Sequence, residues 1–197
     1  MSGDCIAAGD ESSRPNKQGL WLYAMAFPMV RADRAATVRE DLHTLRPVGT
    51  DFLHFYDLPQ KTRLSVARDA GQLDWEAALV VVQLTHPRGQ ERSRRRILAN
   101  ALPKLGHVEH VTTVLLESRA RSDKHDRRTI DRLRGSLSIA DALTVEHVDK
   151  TAEPLCWLAD LIVGAFVANE AGGDPDPWHA LDEARPLEVT WLPHDRP

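Results

Sequence analysis

Apolar residues run nearly without interruption from Leu155 to Ala168, LCWLADLIVGAFVA, fourteen residues with a single charge, Asp160. Leu155, Leu158, Ile162, Ala165 and Phe166 recur at helical spacing, and Trp157, Leu161, Val163 and Val167 cover most of the remaining circumference. A helix that is apolar nearly all round is a buried helix. At about 1.5 Å per residue, fourteen residues fall short of a bilayer core of about 30 Å. The pattern therefore predicts a core helix of a non-membrane domain with a carboxylate in its middle. A buried carboxylate must be protonated, paired or bound to a cation. An Arg partner is the ordinary structural answer.

The other elements follow from pattern and punctuation. Cys5–Ala8 is a weak strand interrupted by Gly9, and Ser13–Gly19 has turn chemistry. Leu20–Val30, LWLYAMAFPMV, predicts a buried strand, with Pro28 near its end. Arg31–Arg46 is helical, closed by Pro47 and Gly49. Asp51–Leu58, DFLHFYDL, reads as a short strand or an extended entry to a site, and it carries His54. A helix is expected over Pro59–Ala70, a strand within Leu73–Thr85, and a basic helix over Gln90–Leu105 that Pro103 shortens or kinks. Val111–Leu116 predicts a strand ending on Glu117. Ser122–Leu137 predicts a second basic helix, and Leu143–Val148 an edge strand. Alternation of helices with apolar strands predicts a mixed α/β layer. Residues 1–170 form the expected domain, and 171–197 an acidic, Pro-containing tail in which Trp178, Trp191 and Leu192 either fold back or stay loose.

Composition alters this picture only locally. Charged residues are 27% and apolar ones 42%, an ordinary globular balance. Net charge is −4, from 25 basic and 29 acidic residues. Two basic runs, Arg88–Arg96 and Arg119–Arg134, precede an acidic end, so local patches could face phosphates. The alternative is a pair of solvated Arg-rich faces, with Asp123 pairing to Arg127. Cys5 and Cys156 suggest neither a disulfide scaffold nor a zinc site, and Cys156 belongs to the core. The N-terminus lacks a basic region followed by an apolar run, so a cytoplasmic location is expected. There is no P-loop, GxGxxG, GxSxG or HExxH pattern.

Three acids stand in unusual places: Asp10 after the first apolar segment, Glu117 at a strand end, and Asp160 in the apolar helix. Sites in α/β sheets gather at the carboxyl ends of strands. Hard oxygens converging there would suit Mg²⁺ or Mn²⁺, and two such ions could activate a water and stabilise the leaving oxygen of a phosphodiester. An acid at a strand end equally often just reaches water. His54 could shuttle a proton or touch the substrate, or simply be hydrogen-bonded at a strand edge. Glu11 should face the other side of the strand if the strand continues through it. Ser118 and Arg119 could line the rim. Arg127 and Arg128 could hold backbone phosphates through planar, bidentate donors. His125 and His147 read as surface residues.

Asp10-Glu11-Ser12, the segment TVLLESRARSDKHDRRTIDRLR and the closing LADLIVGAF together resemble the domain-of-unknown-function 3800 family, over nearly the whole chain to about Asn169. One departure is Ser13, where that family commonly has Gly. The resemblance implies a ribonuclease H-like fold, with Asp10, Glu117 and Asp160 as the acidic metal ligands. It implies a metal-dependent nuclease or phosphodiesterase acting on nucleic acid. A non-catalytic module of the same fold, binding a partner through its Arg faces or acidic end, is the rival. Carboxylates more than about 8 Å apart or pointing apart, or an Arg in the gap between them, would decide for that rival.

Overall fold

The computed structural model describes residues 4–16 and 18–194. Strands β1 (Cys5–Pro15) and β2 (Trp21–Arg31) form a long antiparallel hairpin, paired from Cys5 with Arg31 to Pro15 with Trp21. The predicted break at Gly9 does not occur. A Cβ there would lie 2.8 Å from Leu116 Cδ2 and 2.9 Å from Phe27 Cε1, so Gly9 answers to crowding on the sheet face. The turn is confined to the hairpin tip. There the Asn16 side-chain oxygen accepts from Gln18 N and Leu20 N, and Gly19 takes φ +78°.

Strand β3 (Ala77–Thr85) pairs antiparallel with β2; β4 (Val111–Glu117) runs parallel to β1, and β5 (Thr144–Val148) parallel to β4. With β6 (Leu187–Leu192) the order is β5-β4-β1-β2-β3-β6. The helices are α1 (Ala35–Leu45), α2 (Gln60–Gln72), α3 (Gln90–His107), α4 (Asp123–Gly135), α5 (Leu155–Val167) and α6 (Asp176–Ala184). Side-chain alternation along the strands divides the interior in two. Ala8, Leu22, Ala24, Ala26 and Val80 pack under α5, flanked by α1, α2 and α6. Ala7, Met25, Phe27 and Val81 pack on the opposite face against Ile97, Leu98 and Ala101 of α3 and Ile130 of α4.

Every residue of α5 is buried. The helix continues through a π turn, Ala168–Gly172, so the apolar segment Leu155–Gly172 reaches 18 residues. That meets the length and composition of a membrane span, and the length argument made from the sequence does not hold. The packing does: 78% of the segment is buried inside the protein, against β1 and β2.

Three further expectations are revised. Of the two readings of Asp51–Leu58, the strand does not form and the entry to a site remains, with one 3-10 turn at Phe55–Asp57. Pro103 does not end α3, which runs on to His107. The carbonyl that Pro103 leaves without a partner belongs to exposed Ala99, where water can replace the missing N–H. Residues 171–197 carry α6 and β6. Trp178 and Leu181 are buried beside α2 and α5. Strand β6 pairs parallel with β3 from Leu187 with Ala78 to Leu192 with Gln83. Arg185 donates to Gly71 O and Leu73 O at 3.2 and 2.6 Å. The acids Asp176, Asp182, Glu183 and Glu188 stay exposed, while Asp174 pairs with Arg63 at 3.4 Å.

Candidate active site

Strands β1 and β4 are parallel neighbours whose paired register ends at Gly9 and Leu116. The next residues are Asp10 and Glu117. By alternation from Ala8 and Leu115, both turn toward the α5 face. Asp10 is therefore not at a strand end; it lies within β1 where β4 stops. Asp160 descends on the same place from α5. The sequence-predicted acids are brought together, and the structure supplies what the sequence did not reveal, a lysine among them. Lys150 Nζ lies 2.8 Å from Asp10 Oδ2, 3.3 Å from Glu117 Oε2 and 3.3 Å from Asp160 Oδ1.

The second oxygens of Asp10 and Asp160 are also engaged. Asp10 Oδ1 accepts from Glu11 N at 2.6 Å, and Asp160 Oδ2 accepts from Phe55 N at 2.7 Å. His54 turns Nε2 toward Asp160 Oδ1 at 3.6 Å, and its Nδ1 is buried with no hydrogen-bond partner. Asp10, Phe52, His54, Glu117, Lys150 and Asp160, with Glu11 and Arg119 at the edge, line an open pocket of about 270 Å³.

Lys150 is fixed by its loop, which follows β5. Trp157 Nε1 donates to Lys150 O at 2.6 Å. Asp149 Oδ1 accepts from Thr151 N and Oγ1, both at 2.8 Å. Glu153 takes a bidentate pair from Arg39 at 2.8 Å and accepts from Leu155 N, the first residue of α5. Lys150 is the only basic residue between Val148 and Asp160. That is the signal by which a counter-cation for the acids could have been found.

Burial dominates the electrostatics. It pushes the Asp10 carboxyl up to about 7, against the lowering pull of Lys150 and with Glu117 adding to the rise. Burial likewise raises Asp160, while Lys150 and His54 oppose it. For Lys150, burial would lower the ammonium, but Asp160, Asp10 and Glu117 together raise it. Three carboxylates thus face one ammonium.

A second ionic cluster lies on the opposite face of the sheet. Glu11 points there, as alternation requires, and pairs with Arg94. Arg94 is fully buried and also holds Asp126, with Nη2 to Oδ2 at 2.9 Å. Arg119 reaches Asp126 Oδ1 at 3.3 Å and Glu91 Oε2 at 3.1 Å. His147, expected at the surface, has a side chain only 8% exposed, with Nε2 3.1 Å from Asp126 Oδ2. It was missed because alternation along a short edge strand does not show which face carries a buried acid. Asp123 does not pair with Arg127; it accepts from Ser118 Oγ and Arg119 N, both at 2.7 Å, and so fixes the turn into α4. Arg127 and Arg128 stand exposed on α4, and neither lines the acid pocket. Arg127 instead borders a groove with Arg134, Glu146 and His147.

The donor chemistry of Asp10, Glu117 and Asp160 fits a divalent cation, because hard oxygens suit Mg²⁺ and Mn²⁺. Among the described residues, however, no three His, Cys, Asp or Glu side chains stand ready-set as a metal cage. In this pocket an ammonium takes the place where the three carboxylates meet.

The architecture is a ribonuclease H-like fold. Solved structures with the same arrangement include ribonuclease H2 from Pyrococcus horikoshii OT3, with TM-score 0.55, 11% identity and coverage of 84% of this chain and 73% of that one. Bst-RNase HIII in complex with Mn²⁺ matches with TM-score 0.51, 14% identity and coverage of 85% and 53%. The chain spans about half the length of that enzyme. No protein-family model and no curated protein matches the sequence.

Proposed function

We propose that this chain is a divalent-metal-dependent hydrolase of phosphodiester bonds in nucleic acid, working with Mg²⁺ or Mn²⁺. One observation carries the reading: Asp10, Glu117 and Asp160 converge in a solvent-open pocket with a single ammonium between them. Three carboxyl groups outnumber the one ammonium, and burial raises Asp10 and Asp160, a cost that a divalent cation would relieve. The Mn²⁺-bound structural neighbour and the resemblance to domain-of-unknown-function 3800 proteins support the same reading.

Asp10, Glu117 and Asp160 would hold the metal. A divalent ion held there would supply Lewis acidity for activating water and offsetting charge on the leaving oxygen. His54, at the pocket wall between Asp160 Oδ1 at 3.6 Å and Asp57 Oδ1 at 3.7 Å, is placed to pass a proton. Arg119 also lines the pocket, but its guanidinium is engaged by Glu91 and Asp126, so it supports the rim and does not meet the reacting phosphate. Arg127 and Arg128, exposed on α4, serve backbone phosphates farther from the cleaved bond.

The position of Lys150 favours a second reading, in which the fold is a non-catalytic module and the lysine merely neutralises old ligands. Calorimetric titration of Mn²⁺ and Mg²⁺ into the wild type and into Asp160→Asn separates the two. Ion binding that disappears in a folded Asp160→Asn protein, with cleavage of an oligonucleotide by the wild type alone, is the expected result. A wild type that binds neither ion, with or without an oligonucleotide, and cleaves nothing leaves the module reading in place.

A further inference from the structure

We propose that the site takes one divalent ion, not two, and that the Lys150 ammonium supplies the second positive centre. This rests on the metal-dependent reading above and fixes its stoichiometry.

The first argument is place. Lys150 Nζ contacts all three carboxylates at once, and its side chain is only 11% exposed. Its main chain is tied to α5 through Trp157. It is a built component of the pocket, unlike a surface lysine that samples many rotamers.

The second argument is the number of oxygens. Asp10 Oδ1 and Asp160 Oδ2 are already committed to the backbone N–H groups of Glu11 and Phe55. Each retains one oxygen facing the pocket, and each of these also meets Lys150. Glu117 also meets Lys150 through Oε2, and its carboxyl lies within hydrogen-bonding reach of Asp10. Such a set serves one ion beside the ammonium. While the ammonium occupies these oxygens, too few remain free for two ions that each want about six ligands; removing it would release them for a second ion.

The third argument is charge. The adjacent acid that could enlarge the cluster, Glu11, faces away and is held by Arg94, a side chain with no exposure. Releasing Glu11 would leave that guanidinium short of a partner in the interior. Three carboxylates, one lysine and one divalent ion balance to zero. A second ion would leave the pocket positive, pressed against Lys150.

Mn²⁺ titration followed by calorimetry and electron paramagnetic resonance tests this directly. The wild type should bind one Mn²⁺ per chain and show at saturation the six-line spectrum of an isolated ion. Lys150→Met and Lys150→Gln, each checked for fold by circular dichroism, should rise to two Mn²⁺ with a spin-coupled spectrum. Lys150→Arg, which keeps the charge, should stay at one. Two ions in the wild type would overturn the inference, whatever the variants do, and leave the metal-dependent reading intact. So would folded Met and Gln variants that still bind one ion or none. No ion in the wild type would instead remove the reading on which the inference stands.

Discussion

The backbone N–H of Phe55 donates to Asp160 Oδ2 at 2.7 Å, joining a loop to a helix 105 residues away. The contact is possible because Gly164, one helical turn beyond Asp160, has no side chain. A Cβ on Gly164 would lie 2.6 Å from Phe55 Cβ and 2.7 Å from its ring. Gly164→Ala should therefore push Phe55 off α5, weaken the hold on Asp160 and destabilise the protein by about 1–3 kcal/mol. Denaturant unfolding measures the loss. An unchanged midpoint would show that the loop yields without strain.

Arg94 and Asp126 form the buried pair on the other face. Asp126→Asn leaves a buried guanidinium short of a charge, and the expected cost at neutral pH is about 3–5 kcal/mol. Arg94→Met, which removes the cation but fills the space, should cost measurably less than Arg94→Ala. Guanidinium unfolding of the three variants ranks them, and equal losses would show that packing alone matters there.

The same pair sets an acid limit. Burial would raise the Asp126 carboxyl, but hydrogen bonds from His147 and Arg94 hold it at about 2, below its ordinary 3.8. A depressed carboxyl stabilises the fold fully above the ordinary value, and that contribution is lost as pH falls through about 2. The stability gap between wild type and Asp126→Asn should thus be widest above pH 4 and should close toward pH 2. A gap that stays constant across that window would show that Asp126 is not the group responsible.

Removing residues 174–197 should unfold or aggregate the chain, not trim a tail. The deletion strips α6 from α2 and exposes the β3 edge from Ala78 to Gln83. Open strand edges invite pairing with other chains. Size-exclusion chromatography and circular dichroism distinguish this outcome from a monomeric, folded remnant.

The elements that the sequence revealed are those whose pattern is long and whose environment is uniform. Helix α5 and strands β2, β3 and β4 are apolar over most of their length, and burial follows directly. Asp160 was legible for the same reason: one charge in an apolar helix demands an explanation. Lys150 was not, because it sits in a loop without periodicity and its three partners come from β1, β4 and α5; its being the lone basic residue between β5 and Asp160 was the one available signal. Arg94 was hidden in a basic run, although it shares a helical face with Ile97, Leu98 and Ala101, and that spacing was readable. Strand β6 was obscured by short length and by acids and prolines around it; its strand state comes from pairing with β3. Gly9 misled because glycine in a strand was read as weakness, whereas Phe27 and Leu116 close in on it from other strands.

The packing of α5 on the β1–β2 hairpin has a consequence for synthesis. The hairpin is complete by Arg31, yet the helix that covers one of its faces begins at Leu155. While most of the chain is being made, Ala8, Leu22, Ala24 and Ala26 wait without their principal cover. Loop closure over such a separation is slow, and apolar faces exposed meanwhile are where nascent chains stick together. Yield from cells should therefore respond to chaperone supply and to growth temperature more strongly than the stability of the finished protein would suggest.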